Sequence, residues 1–200
     1  MYADERRSAF ISEDLRLLYV LFFSLYLSSI LNLQSAAMGS NEYQFITEWD
    51  LDAPIEEVFD VIENGSEFPR WWPEVYLDAR AEKKGRPDRK GDKLHLHTKG
   101  WLPYTLRWTA EVIESSPPIR LEFAATGDFV GRGIWTLTNS GPKTHARFDW
   151  SILAEKPLLR RLSFIFKPIF SWNHQWAMAR GRERITEELA RRLKEKKISA

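Results

Sequence analysis

The chain contains no cysteine and carries almost no net charge. The absence of cysteine excludes disulfides, thiolate metal sites and a cysteine nucleophile. The 29 basic and 28 acidic residues give a formal net charge of +1, so no strong field is available to attract nucleic acid. The sequence also lacks a phosphate-binding loop, a dinucleotide fingerprint and a nucleophile elbow. We therefore expect no cofactor and no nucleic-acid partner.

Aromatic residues, by contrast, are plentiful. They make up 14% of the chain and include nine tryptophans. Tryptophan combines a large apolar ring with one N–H donor, and it favours the partly buried walls of pockets and interfaces. Apolar residues amount to 44% of the 200 residues, which is enough for one ordinary domain with its own core and an appendage.

The appendage is the apolar N-terminal segment. Residues 17–33 carry no charge and are long enough to span a membrane. Three interpretations stay open: a membrane anchor, a signal peptide cleaved near 35–37, or an over-extended start in front of a true first residue at Met38. We therefore divide the chain into a segment 1–37 and a domain 38–200. The domain would be cytoplasmic if the chain starts at Met38, and otherwise membrane-anchored by residues 17–33.

Alternation of apolar and polar residues predicts most of the domain as strands. The predicted strands are 43–51, 74–84, 92–99, 104–115, 119–126, 131–138 and 143–155. A helix start at Pro54 and the proline-bounded segment 68–73 predict two short helices after the first strand. One long helix is predicted from Trp172 to about Lys194.

The apolar faces of these strands are aromatic. They carry Trp108, Phe123, Trp135, Phe148 and Trp150. A broad antiparallel sheet with one apolar face must be covered, and only one long helix is available to cover it. The pattern therefore predicts an α+β fold in which a curved antiparallel sheet of about seven strands wraps around the C-terminal helix. A sheet that wraps around a single helix leaves a cavity lined by apolar side chains, which is typical of a binding site for an apolar ligand.

Four blocks of sequence resemble the polyketide cyclase/dehydrase-type branch of the START-like (SRPBCC) superfamily. They are WDLDAPIEEVF at 49–59, FPRWWP at 68–73, GDFVGRGIW at 127–135 and WNHQWAMARG at 172–181. The resemblance covers about residues 43–193 and implies the helix-grip fold, with a deep apolar cavity between the sheet and the C-terminal helix. Members of the family range from lipid carriers to cyclases and aromatase-like enzymes, so the resemblance alone does not settle the chemistry.

Candidate ligand-binding residues are the five aromatic side chains of the sheet together with Trp172, Asn173, His174, Trp176 and Arg132. Asn173 and His174 open the long helix, where they could bond a ligand oxygen or anchor the helix to the preceding segment. His174 is the one candidate for a catalytic acid or base. Arg132 lies between two glycines. A bulge there would turn it inward to select an acidic ligand, and regular alternation would leave it in a charged outer face.

A metal site is a weaker possibility. His95 and His97 share one strand face, and this spacing can chelate zinc or copper. Lys93 and Lys99 share that face, however, and no third ligand is near in sequence. We therefore expect a solvent-facing pair and no bound metal.

Two further features concern access to the hollow. Trp71, Trp72 and Trp101 fall in predicted loops, where they either surround a cavity mouth or cap the core. Residues 156–170 crowd apolar and basic side chains between two prolines. They fit a short packed helix, a lid, or a patch that touches a membrane.

The sequence thus supports three functions. The first is binding, or transport, of an apolar small molecule such as a lipid, isoprenoid or polyketide, without catalysis or with little of it. The second is a polyketide cyclase or dehydratase that uses His174 as acid or base. The third is a membrane-associated module that contacts the bilayer through residues 17–33 and 156–170. A monomer is the default expectation.

Overall fold

The computed structural model of the chain describes residues 42–128, 130–153 and 163–199. These residues belong to one compact unit. Its strands are β1 (Glu42–Leu51), β2 (Tyr76–Glu82), β3 (Lys93–Lys99), β4 (Thr105–Ser116), β5 (Arg120–Gly127), β6 (Val130–Ser140) and β7 (Lys143–Leu153). Its helices are α1 (Ile55–Glu63), α2 (Phe68–Trp71) and α3 (Ser163–Ser199), with a 3-10 turn at Gly65–Glu67.

Within the described residues the strands form one antiparallel sheet of seven strands, in the order β1-β7-β6-β5-β4-β3-β2. Consecutive strands are neighbours from β2 to β7, and β1 pairs with β7. The chain therefore passes from one edge of the sheet to the other between β1 and β2, and α1 and α2 lie in that connection. The helix-grip fold expected from the sequence is confirmed.

Strand alternation gives the sheet an aromatic inner face and a charged outer face. The outer face carries the Glu122 carboxylate, which is buried between Arg120 and Arg132 at 2.7 and 2.5 Å. Farther along the sheet, Arg147 bonds Asp149 on its own strand at 2.8 Å. Arginines and carboxylates of the outer face are therefore paired with one another.

The second half of α3 packs closely on α1 and α2. Gly181 lies against the ring of Trp72 so closely that any side chain at this position would overlap the indole. Ile185 and Leu189 follow on the same face and are buried in the core cluster that also contains Val58 of α1. This half of the helix is thus a conventional apolar interface.

A buried carboxylate reinforces the same contact. Glu188 is only 4% exposed, and it accepts hydrogen bonds from Arg70 of α2 and from Arg191 and Arg192 of α3 at 2.6 to 2.9 Å. Burial alone would raise the pKa of Glu188, but these three arginines outweigh it and hold the pKa below its usual range. The Glu188 carboxylate therefore stays ionised although it is buried, and its bonds to Arg70 connect α2 to α3.

The start of the long helix differs from the prediction. Helix α3 begins at Ser163, nine residues before the predicted start, and runs through Pro168. Pro168 lies in the second turn of the helix, where its missing N–H removes one backbone hydrogen bond while the helix continues through it. Residues 163–170 therefore belong to the long helix rather than to a short helix of their own, whereas 156–162 lies outside the described residues.

The hypothesis of a membrane anchor concerns helices long and apolar enough to cross a bilayer. Among the residues that the structure describes, none of the helices combines the length and the apolar character needed to cross a bilayer. Residues 17–33, on which the anchor hypothesis depends, lie outside the described residues.

Candidate functional site

A cavity of about 690 Å³ lies between the inner face of the sheet and the first half of α3. The helix contributes one stripe of residues with helical spacing: Phe170, Asn173, His174, Ala177 and Met178. The same stripe continues into Gly181 and Ile185, where the helix touches α2 and the core instead. The first half of α3 thus contributes to the cavity, whereas its second half packs on the core.

The sheet side of the cavity is a wall of aromatic rings. Trp135 and Phe148 stack with centroids 4.5 Å apart and an interplanar angle of 18°, and Phe148 and Trp150 stack at 5.8 Å and 19°. Phe123 and Trp108 extend the wall, at 5.7 and 5.9 Å from Trp150. Side chains at alternate positions of neighbouring strands share one face, so this wall follows directly from the pairing of β4 to β7.

His174 is one of the two polar side chains in the stripe of α3 that lines the cavity. Its ring stacks on Phe45 at 4.3 Å, and its Nε2 lies 3.5 Å from the Thr47 hydroxyl, which is the long limit of a hydrogen bond. Burial lowers the pKa of His174 from 6.5 to about 4. The imidazole is therefore neutral near pH 7, and it offers one donor and one acceptor.

Asn173 holds a loop at the edge of the cavity. Its side-chain oxygen accepts hydrogen bonds from the backbone N–H groups of Trp101 and Leu102 at 2.7 and 3.2 Å. Gly100 allows this approach, because a β-carbon there would overlap the Asn173 amide. Beside this contact, Trp101 packs edge-on against Trp172 at 4.4 Å, although the two residues are 57% and 47% exposed. Asn173 is thus an anchor, but for the β3–β4 loop rather than for the preceding segment.

The structure brings most of the candidate ligand-binding residues to one cavity. The five aromatic residues of the sheet, Asn173 and His174 all line it. Trp172 and Trp176 do not line it: Trp172 lies against Trp101, and Trp176 packs on the outside of the core cluster.

Arg132 does not reach the cavity either, and the inward bulge proposed from its flanking glycines is wrong. Its pairing with Ala124 and Ser151 is regular on both sides, so the alternation of β6 continues through it. Arg132 therefore points outward, where its guanidinium is exposed and bonds Glu122.

Several wall residues were not identified from the sequence. Trp72 and Trp71 are buried and line the cavity, so they cap the core rather than stand exposed at a mouth, whereas Trp101 is exposed. Tyr76 also lines the cavity, and burial raises the pKa of its hydroxyl. Proline-bounded segments and strand ends have no periodicity, so the only sequence signal for these positions was their aromatic composition.

The histidine pair on β3 lies on the other face of the sheet. His95 is exposed, and its ring contacts the Thr109 hydroxyl at 3.0 Å and the Glu82 carboxylate at 3.4 Å. In the described part of the chain, no group of three His, Cys, Asp or Glu side chains is placed to hold a metal ion.

The first prediction concerns the loop anchor. Replacing Asn173 with Ala removes the acceptor for two backbone N–H groups, so we expect the amides of Trp101 and Leu102 to exchange with solvent about tenfold faster. Amide hydrogen exchange followed by NMR measures both positions. Gln175→Ala, on the exposed side of the same helix turn, is the matched control and should leave both rates unchanged. Unchanged rates in Asn173→Ala would refute the anchor.

The second prediction concerns the protonation of His174. Its pKa of about 4 in the folded protein lies below the ordinary value of 6.5, so the unfolded chain binds more protons in that window. The free energy of unfolding therefore falls as pH is lowered through the window, by up to about 3 kcal/mol.

His174→Phe keeps a ring against Phe45 but removes the titrating group, and we expect it to lose this part of the pH dependence. Urea unfolding from about pH 7 to 4 measures the free energy of unfolding of both proteins. The contribution of the carboxylates is the same in both and cancels in the difference. Parallel pH curves would show that His174 is not held neutral by burial.

Comparison with solved structures shows the same fold in several proteins. The Zhui aromatase/cyclase from a Streptomyces species is 13% identical with a TM-score of 0.60, over 76% of this chain and 96% of that one. A Thermus thermophilus protein is 18% identical with a TM-score of 0.57, over 73% and 99% of the two chains. A START superfamily protein from Mycobacterium smegmatis is 12% identical with a TM-score of 0.54, over 74% and 97%.

At such identities the likeness concerns the fold alone. A search of curated protein sequences found no match to this chain. The family model described as polyketide cyclase/dehydrase and lipid transport matches residues 44–196, which is most of the chain and all of the cavity wall described above. The chain therefore belongs to the polyketide cyclase/dehydrase and lipid transport family.

Proposed function

We propose that this protein binds, and carries, an apolar small molecule such as a lipid, isoprenoid or polyketide in the cavity between the sheet and α3. The observation that supports the proposal is the hollow itself, about 690 Å³ in volume and walled by stacked rings. Ligand cavities are typically about 300–1,000 Å³ and mostly apolar, with a few polar groups that fix orientation.

The energy of binding would come from burial of apolar ligand surface. Each Å² removed from water contributes about 25 cal/mol, and part of this gain is offset by the lost freedom of the ligand. Rings that are already packed against one another lose little further freedom when a ligand arrives. The wall of Trp135, Phe148 and Trp150 therefore favours binding by preorganisation.

The environment of His174 favours a carrier over an enzyme. A general base is ordinarily oriented by a second polar group, commonly a carboxylate. Among the described residues the hydrogen-bond partner of His174 is the hydroxyl of Thr47, at 3.5 Å, and no carboxylate contacts the ring. His174 is thus equipped to hold a ligand oxygen and is poorly equipped to drive proton transfer.

A cyclase or dehydratase is the second candidate. It is favoured by the neutral His174 in the cavity wall and by the similarity in fold to the Zhui aromatase/cyclase and to two di-domain aromatase/cyclases. The two functions differ in what happens to the ligand. A carrier returns it unchanged, whereas a cyclising dehydratase returns a product that has lost water, which mass spectrometry of the recovered ligand distinguishes.

The third prediction tests binding in the cavity. The probe is N-phenyl-1-naphthylamine, an uncharged dye whose fluorescence rises in apolar surroundings. Ala177 faces the cavity, and Ala179 lies on the exposed side of the same helix. We expect Ala177→Trp to weaken probe binding at least about tenfold, because the indole occupies ligand space, while Ala179→Trp leaves it unchanged.

Fluorescence titration of the full chain gives the dissociation constants, and circular dichroism confirms that both variants are folded. Equal affinity in the two variants would place the probe outside the cavity. Absence of binding by the unmodified protein would contradict the proposed function.

A further inference from the structure

The charges around the cavity are already paired or exposed to water. Charged residues that border it within the described chain are Glu63, Lys83, Arg89, Asp92, Lys93, Lys99 and Asp128. Arg89 bonds Glu63 at 2.9 Å and Asp92 at 3.4 Å, so all three are paired and the group as a whole is net negative.

Of the four others, two are bonded and two are exposed to water. Lys93 pairs with Glu111 across the sheet at 3.4 Å, and Asp128 accepts the backbone N–H of Arg107 at 2.8 Å. Lys83 and Lys99 are exposed. None of the charged residues that border the cavity therefore offers a ligand a buried and unpaired charge.

The aromatic wall makes this absence costly for a charged ligand. Arg132 is the cation of the sheet that an inward bulge would have placed in the cavity. It lies on the outer face instead, where it pairs with Glu122. A carboxylate placed against Phe148 and Trp150 would lose its water without gaining a cation, and a buried charge without a partner is strongly unfavourable. The wall therefore discriminates against anions.

The cavity wall carries several buried polar groups, among them the Nε1 groups of Trp71 and Trp72, which have no hydrogen-bond partner in the described part of the chain and can only donate. On the helix side, the side-chain oxygen of Asn173 is occupied by the β3–β4 loop. The imidazole of His174 also lines the cavity, and its contact with the neighbouring Thr47 hydroxyl at 3.5 Å is long enough to be replaced by better bonds to a ligand. A neutral imidazole and a hydroxyl together can donate to a carbonyl oxygen, or both donate to and accept from a hydroxyl.

We propose that the ligand is an uncharged, ring-containing molecule whose single hydroxyl or carbonyl oxygen is held by His174 and Thr47, and that the cavity rejects carboxylates of the same size. This inference rests on the proposed function and specifies its ligand class. His174 and Thr47 act here as specificity-determining residues rather than as a catalytic pair.

The fourth prediction is tested with three probes that share one ring system. They are 1-pyrenemethanol, 1-pyrenecarboxylate and unsubstituted pyrene, measured by fluorescence with the full chain near pH 7. We expect the alcohol to bind at least about tenfold more tightly than the carboxylate, which is an anion at that pH. The N-phenyl-1-naphthylamine titration serves as the independent measure of cavity binding.

Three substitutions at two positions then locate the oxygen. His174→Phe keeps the ring stack on Phe45. It should weaken the binding of 1-pyrenemethanol about fivefold to tenfold and leave the binding of pyrene unchanged. His174→Gln, which keeps a donor and an acceptor, should restore most of the affinity for the alcohol. Thr47→Val keeps the shape of the side chain, and it should weaken the binding of the alcohol less than His174→Phe does.

The outcomes separate the two proposals. Equal binding of alcohol and carboxylate would overturn the inference and leave the proposed function intact. If His174→Phe weakens the binding of the alcohol and of pyrene equally, His174 has only a structural role, and the inference is overturned as well. Failure of all pyrene probes and of N-phenyl-1-naphthylamine would overturn both.

Discussion

The rest of the structure depends on the close contact between Gly181 of α3 and the ring of Trp72. Because no side chain intervenes, the helix packs tightly on α2 at this point, and Ile185 and Leu189 extend the contact into the core. In its first half the helix contacts β1, where His174 stacks on Phe45. The cavity lies between this half of the helix and the aromatic rings of the sheet.

This arrangement separates stability from binding along one helix. The second half carries the apolar contacts and the buried Glu188 with its three arginines, so several contacts hold it against the core. The first half carries His174 and Ala177 on the cavity side, and Asn173 bonds the β3–β4 loop beside them.

Much of this was predictable from the sequence, because sheets obey a strict period. Alternation placed Trp108, Phe123, Trp135, Phe148 and Trp150 on one face, and the structure confirms that all five line one cavity. The same rule, applied without exception, would also have placed Arg132 outside. Its flanking glycines suggested a bulge, but glycine permits an irregular strand without requiring one.

The remaining features depend on contacts between distant parts of the chain. Asn173 meets the Trp101 amide across 72 positions of sequence, and no local pattern encodes that pairing. The start of α3 was misplaced because Pro168 suggests a break, whereas the helix runs through it with the loss of one backbone hydrogen bond. Trp72 was ambiguous because it directly follows a four-residue helix, which is too short to show a period. The neutral state of His174 likewise follows from burial, which only the tertiary structure reveals.

The most direct test of a binding cavity between sheet and helix is an experimental structure of the full chain with 1-pyrenemethanol. We predict the pyrene ring between Trp150 and Ala177, with its hydroxyl within about 3 Å of the His174 imidazole. A cavity filled by the protein's own side chains, or a probe bound only on the outer face beside Glu122 and Arg132, would contradict this prediction.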